Sequence, residues 1–170
     1  MGVHAQHPLQ GARSTVTDDH SAMVLATDLR ARGKRIVFTN GVFDLLHPGH
    51  VRYLQAARAL GDALIVGINS DRSARALAKG GDRPINRDVE RAEIVAALAC
   101  VDATVIFDED TPHDIVATLQ PDVLVKGADW AEGAIVGADI VEARGGQVVR
   151  IDLAQGYSTT KLIEKIRRNL

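Results

Sequence analysis

The sequence predicts an α/β protein: a Rossmann-like open parallel sheet of five strands, with helices on both faces, in a single domain. Three observations carry that expectation. Five short β-rich runs alternate with helical patterns, as in repeated strand–helix–strand units. The runs are nearly continuous in apolar residues rather than alternating, as strands buried on both faces are. The 170 residues, 46% apolar and 25% charged, suffice for one core and leave little for a second.

Taken in order, residues 1–20 are polar and aperiodic and are expected to be a mobile tail, which leaves 21–170 as the folded domain. "SAMVLATDLRARG" (21–33) has a helical pattern that ends in Gly33, a suitable C-cap. "KRIVFTN" is a short strand without helix period. A helix over about 49–60 follows, closed by Gly61, and then the strand "ALIVGINSD". "RDVERAEIVAALACV" places apolar residues at helical spacing. "ATVIF" is a strand, "TPHDIVATL" a short helix opened by Thr-Pro, and "DVLVKG" a strand. "AIVGADIVEARGG" is a helix stopped by glycines, "QVVRID" the last strand and "STTKLIEKIRRN" the last helix.

Composition narrows the function classes. A net charge of −2 offers no electrostatic footprint for nucleic acid. The basic cluster in "KLIEKIRRNL" suits a solvated helix face near a C-terminal end. A single cysteine, Cys100, excludes an internal disulfide and a multi-cysteine metal site, and its apolar setting suggests an inert thiol. No apolar run approaches the length of a membrane span. No signal-peptide pattern is visible, and Gln6 stands where a myristoylation site needs Ser or Thr. The expectation is a cytoplasmic protein without a membrane partner.

Ligands of open parallel sheets bind outside the carboxyl ends of the strands. "TNGVFDLLHPGH" (39–50) leaves the first of the five strands there. It is neither a dinucleotide fingerprint nor a P-loop. Gly41 permits close backbone approach to a ligand, and Pro48 with Gly49 forces a tight turn into the helix. His47 and His50 then lie on one face at a helix N-terminus, which already carries unpaired N–H groups and a partial positive charge. Three readings stand at this point: a site for a compact polyphosphate, a zinc site with Asp44 as third ligand, or a purely structural cap. Lys126 closes the apolar strand "VLVK" at the same edge of the sheet, where a lysine is desolvated unless it meets an anion.

"GVFDLLHPGH" resembles the signature G-x-[FW]-D-x-x-H-x-G-H of the cytidylyltransferase-like nucleotidyltransferases. Gly41, Phe43, Asp44, His47, Gly49 and His50 all match it. "GYSTTKLIEKI" is similar to that superfamily's second motif, with Ser158, Thr159 and Thr160 opening a late helix. Further stretches, "GINSDRSARALAKGGDRPIN", "ERAEIVAAL", "FDEDTP", "PDVLVKGADW" and "GADIVEARGG", resemble the heptose 1-phosphate adenylyltransferases of lipopolysaccharide precursor synthesis, in their free-standing form. The resemblance spans about Ser21 to Arg168.

The resemblance implies transfer of AMP from ATP to D-glycero-D-manno-heptose 1-phosphate, with pyrophosphate leaving. It implies magnesium held mainly by the ATP phosphates, with no protein metal site. His47, His50 and Lys126 would be catalytic. Thr39, Asn40, Gly41, Val42, Phe43, Asp44, Gly49, Asp129, Ser158, Thr159 and Thr160 would bind nucleotide. Lys79, Arg83, Asn69, Asp71 and Trp130 would bind the acceptor. Arg91 and Glu93 are read as a helix-surface pair. Related glycerol-phosphate cytidylyltransferases carry an arginine several residues before the S-T-T segment, where Asp152 stands here with Arg150 nearby. That argues against a glycerol-phosphate-type CTP pocket and leaves the basic group behind the pyrophosphate unassigned. A cytidylyltransferase for another small phosphate, and a non-catalytic nucleotide-binding module, are the rival readings. A homo-oligomer is left open.

Overall fold

The computed structural model describes residues 14–16, 18–77, 83–128, 135–152, 154 and 156–169. Six parallel strands form one sheet. They are β1 (Ser14–Val16), β2 (Ile36–Gly41), β3 (Ala63–Asn69), β4 (Ala103–Phe107), β5 (Val123–Gly127) and β6 (Gln147–Ile151). Their spatial order is β1-β4-β3-β2-β5-β6. The helices are α1 (Asp19–Ala31), α2 (Pro48–Arg58), α3 (Asp71–Leu77), α4 (Asp88–Ala96), α5 (His113–Leu119), α6 (Ala138–Ala143) and α7 (Thr159–Arg168).

The five expected strands are β2 to β6. Two features depart from the sequence expectation. The segment assigned to a mobile tail contributes β1, which pairs Ser14–Val16 in register with Ala103–Val105, and α1 begins at Asp19. Without β1, β4 would present an open edge. The second departure is α3, which follows β3 after one residue.

Both faces of the sheet are covered, which explains the near-continuous apolar runs. Ile36, Phe38, Ile65 and Leu124 pack on one side with α1 and α5 through Ala22, Ala26, Ile115 and Leu119. Val37, Leu64, Val66, Val123 and Val125 pack on the other with α2 and α4 through Leu54, Ala57, Ala92 and Val95. Successive residues of each strand thus serve opposite cores.

The winding fixes where a ligand can sit. From β2 the chain steps outward through β3 and β4, then returns across to β5 and β6 on the other side of β2. The reversal lies between β2 and β5. These two strands pair through Val37 with Val123 and Phe38 with Leu124. Beyond it the carboxyl ends open into a crevice, the usual ligand position in such sheets. Among the described residues no helix is long and apolar enough to cross a membrane.

Candidate active site

A cleft of about 330 Å³ occupies this crevice. Asn40 and Gly41 reach it from the end of β2, and Lys126 and Gly127 from the end of β5. Lys126 is buried, and its Nζ donates a hydrogen bond to Asn40 Oδ1. An ammonium at this depth is tolerable only with such oxygen partners.

The turn after β2 supplies the imidazoles. His47 is the N-cap of α2, with extended backbone, and its Nδ1 accepts from the His50 N–H at 3.4 Å. Pro48 takes the first helical position, where no backbone donor is lost. The three-residue spacing brings the rings together, stacked with centroids 3.8 Å apart and planes 14° from parallel. Gly49 makes room for this: a Cβ there would lie 3.0 Å from His47 Nδ1 and 3.1 Å from Tyr157 Cβ. On the other side the Phe43 ring meets His50 edge-on at 5.4 Å. Phe43 holds φ at 48°, unusual for a non-glycine residue, and its ring is buried.

Burial pushes His50 down to about 4, and the neighbouring His47 acts in the same direction. Burial also lowers His47. Both rings are therefore neutral at neutral pH. With Nδ1 turned to the His50 N–H, neutral His47 carries its proton on Nε2 and donates from there. Among the described residues Nδ1 of His50 is buried without a hydrogen-bond partner.

A second helix converges on the cleft. Ser158 caps α7 by accepting from Lys161 N–H at 3.1 Å, and Thr159 Oγ1 donates to the Leu45 carbonyl at 3.3 Å. Ser158 and Thr159 both line the cleft beside Gly49. Two helix N-termini thus face one space, each with unpaired N–H groups and positive dipole ends. Among the described residues the cleft lining carries no carboxylate. Such an arrangement can hold a compact anion.

Other expected residues sit elsewhere. Thr39 is fully buried and does not line the cleft; its Oγ1 is 2.8 Å from Tyr53 Oη. Asp44, expected at the nucleotide, faces an adjoining cleft of about 340 Å³ instead. Its Oδ1 accepts from the N–H groups of Ile85 and Asn86 at 2.7 and 3.0 Å, and its Oδ2 lies 3.5 Å from Arg83 Nε. Those contacts leave no zinc arrangement of Asp44 with the two histidines. Among the described residues no three His, Cys, Asp or Glu side chains cluster for a metal. Arg83 does reach the second cleft, and its Nη1 donates to Thr160 Oγ1 at 3.3 Å. Asn69 and Asp71 line neither cleft: Asn69 Nδ2 donates to Ser73 Oγ at 2.9 Å, and Asp71 pairs with Arg91. Lys79, Asp129 and Trp130 lie outside the described residues.

The surface-pair expectation for Arg91 fails. Its side chain is 0% exposed. Nε donates to the Asn86 carbonyl at 3.0 Å, Nη1 to that of Val42 at 2.6 Å, and Nη2 to that of Asn69 at 2.8 Å and to Asp71 Oδ1 at 2.9 Å. One guanidinium therefore ties the turn before Phe43 to the end of β3, the start of α3 and the loop before α4. The signal was present: Arg91 falls four residues before Val95, on the apolar face of the helix. Tyr157 was also missed. It stacks near His47 with centroids 6.0 Å apart and carries the Arg52 guanidinium on its ring at 5.4 Å. Its place directly before Ser158 was the available clue.

The chain matches the family model described as Cytidylyltransferase-like over residues 38–165. It is 55% identical over 161 residues to a bifunctional protein HldE from Geotalea uraniireducens (strain Rf4), covering 95% of this chain and 32% of that protein. It is 58% identical over 137 residues to the bifunctional protein HldE of Syntrophotalea carbinolica, covering 81% of this chain and 28% of that protein. The chain thus spans about a third of the length of these relatives. Among solved structures, the lipopolysaccharide core biosynthesis protein from Thermoplasma volcanium GSS1 matches with a TM-score of 0.63 and 30% identity, covering 72% of this chain and 100% of that one.

Proposed function

The chain belongs to the cytidylyltransferase-like family, and from that premise we propose that it is an adenylyltransferase, moving AMP from ATP to D-glycero-D-manno-heptose 1-phosphate and releasing pyrophosphate. The observation that carries this reading is the stacked His47–His50 pair, set with Lys126 between two helix N-termini in one cleft. The similarity to HldE proteins over most of the chain, and to a lipopolysaccharide core biosynthesis protein, supports the sugar-phosphate acceptor. The product belongs in ADP-heptose and lipopolysaccharide precursor synthesis.

The reaction is a single displacement. An oxygen of the sugar phosphate forms a bond to the α-phosphorus of ATP. The bond from that phosphorus to the bridging α–β oxygen breaks, and its electron pair leaves with pyrophosphate. The nucleophile is already an anion, so no side chain has to take its proton. Catalysis falls to positioning and to preorganised charge. His47 donates from Nε2 and His50 presents Nε2 beside it, both toward phosphoryl oxygens. Lys126, held by Asn40, supplies a fixed cation at the floor. The first turns of α2 and α7 offer backbone donors to the remaining phosphates. Magnesium carried on the ATP phosphates would screen their charge.

The test is pyrophosphate release with magnesium, comparing ATP with CTP as donor and heptose 1-phosphate with glycerol 3-phosphate as acceptor. Release with ATP and heptose 1-phosphate alone is the expected result. Release with CTP or glycerol 3-phosphate instead would retain the two-histidine mechanism and overturn the substrate. ATP binding without release for any pair would favour a nucleotide-binding module.

A further inference from the structure

A column of rings and charge runs from the floor of the cleft to its rim. Lys126 lies at the floor, 5% exposed. The His50 and His47 rings stack at 3.8 Å, the Tyr157 ring follows His47 at 6.0 Å, and the Arg52 guanidinium rests on the Tyr157 ring at 5.4 Å. Tyr157 is 40% exposed and Arg52 is exposed, so the column leads outward to solvent.

Arg52 reaches this place from α2 itself. It stands one turn beyond Pro48, and helical side chains lean toward the N-terminus of their helix. Arg52 and Pro48 accordingly share a shallow groove with His47, which lines the nucleotide cleft as well. Among the described residues no carbonyl or carboxylate takes the Arg52 N–H groups; its contact there is the face of Tyr157. A ring beneath a guanidinium occupies its plane and leaves the donors at its edge open. At an exposed position such a seat is worth about 0.5–1 kcal/mol, so an anion with several oxygens can compete for the cation.

Building on the nucleotidyl-transfer reading, we propose that Arg52 is the cation that binds the outer phosphates. It grips the β- and γ-phosphates of the bound triphosphate and then the departing pyrophosphate, which carries away the electron pair of the broken bond and must leave the cleft toward solvent. Tyr157 is the positioning residue that seats the guanidinium at the rim. Because Tyr157 directly precedes Ser158, the same seat ties the start of α7 to α2. Lys126 and the imidazoles serve the α-phosphate deeper in the cleft.

Calorimetry with pyrophosphate and with AMP, each with magnesium, reads the site directly, because AMP lacks the outer phosphates. Arg52→Gln should weaken pyrophosphate roughly 3–20-fold, the scale of a charge-assisted contact at an exposed position, and leave AMP within about twofold. Arg52→Lys should fall between it and wild type, because it keeps the charge and loses the fork. The gap between wild type and Arg52→Gln should narrow at high salt, since an exposed charge is screened. Tyr157→Leu should lose less pyrophosphate affinity than Arg52→Gln, and the two losses should not add in the double variant. In turnover, Arg52→Gln should raise the KM for ATP and the inhibition constant of pyrophosphate together, with the KM for heptose 1-phosphate within about twofold. Thermal melting checks that each variant is folded. Equal losses for pyrophosphate and AMP, or an unchanged pyrophosphate affinity in Arg52→Gln, overturn the proposal, and additive losses overturn the seat. If no substrate pair turns over, the enzyme reading fails by itself. Pyrophosphate binding that depends on Arg52 then still upholds the site, and no pyrophosphate binding to wild type overturns it.

Discussion

Replacing Arg91 by alanine removes the donor from four acceptors at once: the carbonyls of Val42, Asn69 and Asn86 and the carboxylate of Asp71. Removing one partner of a buried, hydrogen-bonded charge pair costs about 3–5 kcal/mol, because the groups left behind stay desolvated. Domains of this kind have about 5–15 kcal/mol in total. Arg91→Ala should therefore lose a fifth or more of the molecule's stability, read as a lower urea midpoint at unchanged m-value. Arg91→Lys keeps the charge on one nitrogen and cannot span carbonyls on four segments, so it should lose about 1.5–3 kcal/mol. The Lys variant should also turn over more slowly even where it is fully folded. Val42 precedes Phe43, whose left-handed backbone and buried ring back His50. A loss below about 1 kcal/mol in Arg91→Ala, with turnover intact, would refute the view of Arg91 as the knot of the site.

Three further outcomes are expected. His50→Ala should lower turnover by roughly 10²–10³-fold, as for loss of one preorganised donor to a charged transition state, and near-normal turnover would remove His50 from the mechanism. Burial holds the folded His50 imidazole down at about 4, against an ordinary value of 6.5. The unfolded chain therefore binds the extra proton between those values, and stability should fall as pH drops through that window; urea titrations at pH 7, 6 and 5 check this, and His50→Ala should flatten the dependence. Gly67→Ala places a Cβ 2.8 Å from Phe38 Cζ and 3.0 Å from Asn40 Cβ. It should cost about 1–3 kcal/mol by overpacking and displace the Asn40–Lys126 pair, seen as a raised KM for ATP.

The fold was readable because its signals are local. Five apolar runs, their glycine and proline punctuation and the helical spacing between them gave five of the six strands and six of the seven helices in order. β1 was not readable, because Ser14–Val16 is three residues long and is a strand only through its pairing with β4. The histidine turn was readable for a similar reason. His47, Gly49 and His50 are adjacent in sequence, so the helix start alone brings them together. The hold of Asp44 on the Ile85 and Asn86 N–H groups was not readable, since those partners lie about forty residues away. Asn69 and Asp71 were placed at the acceptor because they end a strand at the ligand edge; Arg91 and Ser73 take up their polar groups instead.

What the sequence determined by itself was the layered architecture, the end of the sheet that carries ligand, and the imidazole pair poised at a helix N-terminus. Each follows from spacing of a few residues and from the geometry of one element. The tertiary structure decided the rest: Lys126 beside Asn40 across the parted ends of β2 and β5, α7 brought against α2, and the buried guanidinium of Arg91 joining four segments. Those contacts link residues far apart in the chain, and long-range contacts are chosen by how whole elements pack rather than by any local pattern.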